Sequence, residues 1–492
     1  MSNKFLKVLL CLILIISLGY AQQSYQNLRK AVDSVKDNDN LKYGQWSIYA
    51  QNITTDEVII EIDGAKTLSP ASNLKLLTTA VAFSILGSDF TFNTLLQYSG
   101  EINRQGILNG NIYIKGHGDP TLGSGRFPNS SSLDDIMNLW FQAIKKYGIN
   151  QINGHIIGDD SYFDYMTLPG QWTWDDIGNY YAALTSGLCI NENLYYLYFE
   201  PASKIGELAK VLRTEPAIPD LNFINNMKTG KIGSGDNGYI YGAPWQWQQQ
   251  LEGTIPAGIK EFSIKGAIPD PAKFAAIYLR DFLLQQGIPV TGKALSIREM
   301  SNISNQRVII DSISSPPLKE IIYQLNKKSI NLYAEQLLKT MAKKTHGVSG
   351  FQKGIDIMID WLHARGINTD GIFLYDGSGL SRSDRITTRL LVELLVAVLR
   401  EPFFDDFYRS LPIAGDTSDI GTMRHKCKGT PAAGNLRAKT GQHLHVCAHT
   451  GYVYTKSNKL VAFSMIANDY LGSYSQMSKL HEKIMIELAK LP

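Results

Sequence analysis

Between about residues 90 and 315 the chain consists of short strand-like runs, many glycines and turn clusters such as Gly116-His117-Gly118-Asp119-Pro120. That pattern is β-rich. The flanks read differently. Residues 22–38 read as a helix, and Trp46–Asn52 with Glu57–Ile62 as a hairpin around Thr54-Thr55-Asp56. An apolar run to Leu86 follows, opened by Ser69-Pro70 and closed by Gly87. This reads as a buried helix with Ser72 at or near its N-terminus. From Pro317 the helical pattern returns over Leu318–Asn326, Leu332–Ala342, Val348–Arg365 and Thr388–Arg400. The chain closes as strand, turn, strand and helix over Leu444–Tyr454, Lys459–Ala467 and Met477–Lys490. At 492 residues it is too long for one typical domain.

The N-terminus predicts export. Lys4 and Lys7 precede an apolar run from Val8 to Leu18, then Gly19-Tyr20-Ala21. This is the order of a secretory signal peptide, residues 1–21, cleaved near Ala21. The run is too short to span a membrane comfortably, and no later segment is long and apolar enough, so no transmembrane anchor is expected. The exported product is expected in the periplasm or an equivalent compartment. Lys+Arg number 48 and Asp+Glu 45, a balance that argues against a nucleic-acid partner. Beyond the signal, Cys189, Cys427 and Cys447 remain. They make no disulfide framework and leave pairing of Cys427 with Cys447 open.

Three short motifs carry chemistry. In Ser72-x-x-Lys75 the spacing puts a hydroxyl and an amine on one helix face. A lysine of depressed pKa can take the serine proton, and the helix N-terminus favours a developing oxyanion. In Ser329-Ile330-Asn331 a hydroxyl and a carboxamide two residues apart can face one cleft, to relay a proton and orient an amide. In Lys439-Thr440-Gly441, expected at the start of the strand Leu444–Tyr454, the lysine supplies charge, the threonine can bind a carboxylate, and the glycine lets substrate backbone lie close.

Together and in this order the motifs match the signature of penicillin-binding proteins and serine β-lactamases. Pro70-Ala71-Ser72-Asn73-Leu74-Lys75-Leu76, Gly118-Asp119-Pro120-Thr121-Leu122, Asp376-Gly377-Ser378-Gly379-Leu380-Ser381-Arg382 and Leu411-Pro412-Ile413-Ala414-Gly415-Asp416 resemble D-alanyl-D-alanine carboxypeptidases/endopeptidases of the class C penicillin-binding type. The long separation of Ser72 from Ser329 resembles that family's insertion after the nucleophile helix. The resemblance implies an α+β multidomain fold: a β-lactamase/transpeptidase-like domain (antiparallel sheet flanked by helices) split by a large β-rich insertion. It implies boundaries of 22–92 and 316–492 for the catalytic domain, 93–121 and 199–315 for an inserted domain, and 122–198 for a domain nested within that.

It further implies that Ser72 is acylated, Lys75 is the base, and Ser329 returns the proton to the leaving D-alanine. Asn331 positions the peptide amide, while Lys439 and Thr440 hold the carboxylate. The backbone N–H groups of Ser72 and Gln442, beside Gly441, form the oxyanion hole. Gln442 departs from the Thr or Ser usual there. Trp172 and Tyr180 resemble residues that wall the pocket for the stem's diamino acid. Partners would be peptidoglycan stem peptides, with β-lactam antibiotics as acylating inhibitors, and no cofactor is needed. His443, His445, Cys447 and His449 would share one face of a strand, but a row about 20 Å long lets one ion reach two of them at most, so no metal is expected. The rival readings are a catalytically silent peptidoglycan-binding module of the same fold and a β-lactamase- or esterase-like hydrolase.

Overall fold

The computed structural model describes residues 22–128 and 131–492, so the signal segment 1–21 lies outside the described residues. The architecture is α+β. A five-stranded antiparallel sheet runs in the order Glu57–Ile62, Gln45–Asn52, Leu460–Asn468, Val446–Tyr454, Arg437–His443. Both ends of the chain thus build one sheet. Its two faces enter different cores because side chains alternate along a strand. Ala462 and Ile466 join a helical core with Leu76, Leu77 and Leu337, whereas Val461, Phe463 and Met465 meet Leu28, Val32, Ile484 and Leu488 from the two terminal helices. Those helices are 22–36 and Tyr474–Ala489, the latter opened by a Ser473/Gln476 capping box. The helix Lys75–Leu86 is buried from Lys75 through Phe83, which its nearly continuous apolar sequence requires.

The strand reading of the C-terminal region needs one correction. Lys439-Thr440-Gly441 does not open the strand Leu444–Tyr454. It lies inside a separate edge strand, Arg437–His443, joined through Leu444-His445 to Val446–Tyr454. His445 takes the left-handed conformation (φ 57°) in this turn. A turn without Gly or Asn-Gly gives little sequence signal.

The nested boundary 122–198 also shifts. Ile156–Asp159 pairs in parallel with Ile112–Gly116 and with Ala294–Ser296, in a sheet completed by Asn93–Tyr98 and Val308–Ser314. The helix Leu133–Lys146 crosses between the first two of these strands, as parallel pairing demands. The separate strands are those from Leu194 to Ala267, which form a three-stranded and a four-stranded sheet of their own. The innermost unit is therefore about 194–267. Between Asp159 and Leu194 a long excursion reaches the helical unit, where Leu168, Trp172, Ala182 and Leu184 pack with Leu380.

Candidate active site

Ser72 sits in a single 3-10 turn, Ala71–Leu74, directly before the α-helix begins at Lys75. Two glycines let other segments close on this turn. A Cβ on Gly441 would lie 2.5 Å from the Pro70 carbonyl oxygen, and one on Gly379 (φ 75°) 1.9 Å from the Ala71 carbonyl oxygen. Only glycine permits such approaches. Asn73 ties the turn to the sheet by donating to Thr450 Oγ1 at 2.7 Å.

The fully buried Lys75 has three partners: Ser72 Oγ at 2.8 Å, Asn331 Oδ1 at 2.7 Å and the Ser378 carbonyl at 2.6 Å. Two of these oxygens can only accept. In the free amine the two N–H bonds therefore go to Asn331 and Ser378, and the lone pair is left facing the Ser72 hydroxyl. Burial lowers the Lys75 pKa to about 7, against the opposing pull of Asp376, Glu335 and Asp384. Near neutral pH a large share of this lysine is the amine that a serine nucleophile needs.

Ser329 caps the helix Leu318–Lys328 in the left-handed region (φ 60°, ψ 45°), a conformation that costs a non-glycine residue energy and often marks a functional turn. Its Oγ accepts from Lys439 Nζ at 2.8 Å, and Lys439 also donates to the Thr440 carbonyl at 2.9 Å. Burial, then the charge of Lys75, depresses the Lys439 pKa well below the ordinary lysine value. Asn331 begins the next helix and donates through Nδ2 to the Tyr181 carbonyl at 2.8 Å. Ser72, Ser329, Asn331, Thr440, Gln442 and Tyr180 all line one cleft of about 820 Å³.

Trp172 is elsewhere. It is buried, and its indole N–H donates to Asp376 Oδ2 at 2.8 Å, so it anchors the excursion from the insertion and does not wall the cleft. A tryptophan with an apolar neighbourhood and one satisfied N–H is a core residue. Cys189, Cys427 and Cys447 are all free and buried, and Cys427 and Cys447 do not pair.

Several residues of the site escaped the sequence reading. Glu335, one turn after Asn331, accepts from the backbone N–H groups of Gly377 and Ser378, the latter at 2.7 Å. It thereby aims the Ser378 carbonyl at Lys75. Asp376 closes the same loop by accepting from the N–H groups of Gly379 and Ser381, both at 2.7 Å. Burial, then the charge of Asp376, pushes the Asp384 pKa well above the ordinary aspartate value. Thr422 lines the cleft and its Oγ1 accepts from Thr440 Oγ1 at 2.9 Å. Behind both, the buried pair Lys327–Asp419 (2.7 Å) fastens the Ser329 turn to the loop carrying Thr422, since Asp419 also accepts from the N–H groups of Ile413 and Gly421. The spacing i, i+4 from Asn331 was a readable signal for Glu335; Thr422 and Asp419 offered none.

The row of four possible metal ligands is broken up. His443 accompanies the edge strand and lies 2.7 Å from the Gly379 carbonyl, while His445 is in the turn. Cys447 and His449 remain on one face and meet His481 of the last helix, with all three buried and their ligand atoms within 4.8 Å of one another. The protons, however, are already placed. Trp46 Nε1–H donates to His481 Nε2 at 3.0 Å, so the neutral His481 carries its hydrogen on Nδ1, the atom a metal would need. That Nδ1–H points at His449 Nδ1, 3.0 Å away. The group is a hydrogen-bond chain from Trp46 through His481 to His449.

Comparison with known proteins gives the family and the fold. The model of the D-Ala-D-Ala carboxypeptidase 3 (S13) family matches residues 28–490. A D-alanyl-D-alanine carboxypeptidase of Actinomadura sp. (strain R39) is 28% identical over 454 residues, covering 90% of this chain and 81% of the relative. The D-alanyl-D-alanine carboxypeptidase DacB of Haemophilus influenzae is 26% identical over 433 residues, covering 86% and 85%. The crystal structure of penicillin binding protein 4 from Haemophilus influenzae superposes with a TM-score of 0.77 at 23% identity, covering 94% of this chain and 99% of that one, which establishes the shared fold. With residues 28–490 matched by one family and its fold by that structure, the chain belongs to the D-Ala-D-Ala carboxypeptidase 3 (S13) family.

Proposed function

We propose that this chain hydrolyses the terminal D-Ala–D-Ala bond of peptidoglycan stem peptides through an acyl-enzyme on Ser72. The observation that carries the reading is the Lys75 amine, held by two carbonyl-type oxygens with its lone pair toward Ser72 Oγ at 2.8 Å. As Oγ attacks the penultimate D-alanine carbonyl, its proton passes to Lys75 Nζ. The oxyanion develops between the backbone N–H groups of Ser72 and Gln442. The C–N bond then breaks, and the Ser329 hydroxyl, polarised by Lys439, delivers a proton to the departing amine and is reprotonated through the Lys75–Lys439 side of the cleft. Water activated by the same base releases the acyl group. Asn331 holds the amide of the bound peptide.

The substrate carboxylate would sit against Thr440 and Thr422: Thr440 gives its proton to Thr422 Oγ1, which leaves the Thr422 O–H to donate, while position 442 offers a carboxamide in place of a hydroxyl. The exposed Gln442 amide can instead pair with a peptide amide, so the same cleft would also take an internal cross-link, as an endopeptidase. β-Lactams would acylate Ser72 by the first half of this route; a crystal structure of the Haemophilus influenzae protein with a β-lactam is among the matches. The proposed substrate and the signal-like N-terminal sequence support a location outside the cytoplasm; no helix among the described residues is long and apolar enough to cross a membrane.

The test is D-alanine release from a free stem pentapeptide and, separately, conversion of a cross-linked muropeptide dimer to its monomers. Wild type should release D-alanine and Ser72→Ala should not; a wild type that neither releases D-alanine nor splits the dimer would sink the proposal. Cleavage of the cross-link alone would correct it to an endopeptidase.

A further inference from the structure

We propose that an aromatic shelf beside the cleft binds the glycan strand from which the stem peptide hangs; this rests on the cleft's taking a peptidoglycan peptide. The shelf consists of Trp174, Tyr241, Tyr239, Tyr180, Tyr196 and Lys265. Four of the rings are open to solvent: Trp174 at 64%, Tyr180 at 47%, Tyr239 at 44% and Tyr196 at 37%. Two groups of exposed large rings that meet at one cleft are unusual on a soluble surface and mark a contact site.

The rings are mutually arranged. Trp174 and Tyr241 have centroids 4.8 Å apart, and Tyr241 and Tyr239 6.4 Å. Lys265 Nζ lies 5.4 Å from the Tyr180 ring centroid and 5.1 Å from that of Tyr196. The backbone beneath is fastened: Asn179 Oδ1 accepts from the Ile240 N–H at 3.1 Å, and the Ala267 N–H donates to the Gly178 carbonyl at 2.8 Å. The shelf is thus pre-organised and loses little freedom on binding.

Two features identify the occupant. First, the shelf is continuous with the catalytic cleft, because Tyr180 and Tyr239 line both. A stem peptide seated at Ser72 remains covalently joined to its sugar polymer, and this rim is one side across which that polymer can leave the cleft. Second, the chemistry fits a pyranose chain. Aromatic faces accept the flat C–H faces of sugar rings, while phenol hydroxyls and one ammonium meet hydroxyl and N-acetyl oxygens. No carboxylate among the described residues forms an ion pair with Lys265, which leaves its donors for a ligand. Tyr196 stands on the central strand of its three-stranded sheet. It therefore offers a ring without a free backbone edge, and an edge is what an added peptide strand would require.

The experiment measures retention of the full chain on insoluble peptidoglycan for wild type, Trp174→Ala and Tyr196→Ala. Competition uses a linear N-acetylglucosamine tetramer and, separately, a free stem tetrapeptide. Penicillin acylation of Ser72 serves as the control for folding and for the cleft. Each variant should weaken retention by about fivefold or more while acylating at the wild-type rate, and the sugar tetramer should displace wild type. Retention at wild-type strength in both variants would overturn the proposal. So would displacement of wild type by the tetrapeptide and not by the tetramer. A wild-type protein that takes no penicillin, yet loses retention in both variants, would break the reading of the cleft and uphold the shelf.

Discussion

Two buried polar clusters occupy opposite faces of the same sheet. On adjacent strands Lys439 pairs with Thr450 and Thr440 with His449, so Lys439 faces the nucleophile helix while His449 faces the C-terminal helix. Both clusters collect groups of depressed pKa from distant parts of the chain. Burial lowers Lys75 to about 7 and His481 to about 3. What separates them is the place of the last lone pair. In the histidine cluster each donor meets an acceptor within the core, from Trp46 to His481 to His449, and nothing faces a cleft. In the lysine cluster the amine is spent on two oxygens and its remaining lone pair faces a serine at the wall of an open cleft. Perturbed pKa values and buried ligands alone do not identify a site; an unspent, accessible group does.

The contrast can be broken most sharply at Ser72. Ser72→Ala should cut turnover by at least about a thousandfold with the fold intact by circular dichroism. Ser329→Ala should cost about a hundredfold in kcat/KM, as expected for loss of proton delivery to the leaving group. Next comes pH. Because the free amine of Lys75 is the active form and its pKa is about 7, the acylation rate should fall about tenfold for each unit of pH below that value and level off above it.

The histidine cluster should respond in stability. His481→Phe leaves the Trp46 N–H and His449 Nδ1 without partners, and should cost about 2–4 kcal/mol by denaturant unfolding, with kcat/KM for the surviving folded enzyme within about twofold of wild type. Both histidines are held below their ordinary value of 6.5, first by burial. The unfolded chain therefore binds protons that the folded one refuses. The contribution of His481 is constant above about pH 6.5 and is lost as pH falls from there toward about 3, by up to about 1.4 kcal/mol per unit, and His449 acts in the same direction. The smallest effect expected is that of a chelator, which should change neither melting temperature nor rate; a drop in either would show that the Cys447–His449–His481 group holds a metal.

Much of the site was legible because it is local. Ser72 and Lys75 share one helical turn, and the Ser329-Ile330-Asn331 turn lies between two helices whose periodicity is plain. The β-rich stretch followed from the change in pattern along the chain; the α+β class, and that this stretch is an insertion, followed from the family resemblance. What stayed hidden depends on pairing at long range. His481 meets His449 from a different element. Asp419 reaches Lys327 across a loop, and Ile156–Asp159 finds a parallel partner through a crossover helix. The period of two assigns a residue to a face but never to a neighbour. Trp172 escaped for the same reason: the family resemblance put it on the pocket wall, while Asp376, far along the chain, holds its indole inside.

The central claim is that Ser72 is a nucleophile primed by Lys75. Intact-mass spectrometry of the mature protein after incubation with benzylpenicillin tests it most directly. The account predicts one covalent penicilloyl adduct on wild type and none on Ser72→Ala. A wild-type protein that neither gains mass nor consumes penicillin would contradict it, and would make the fold a wall-binding module with an idle serine.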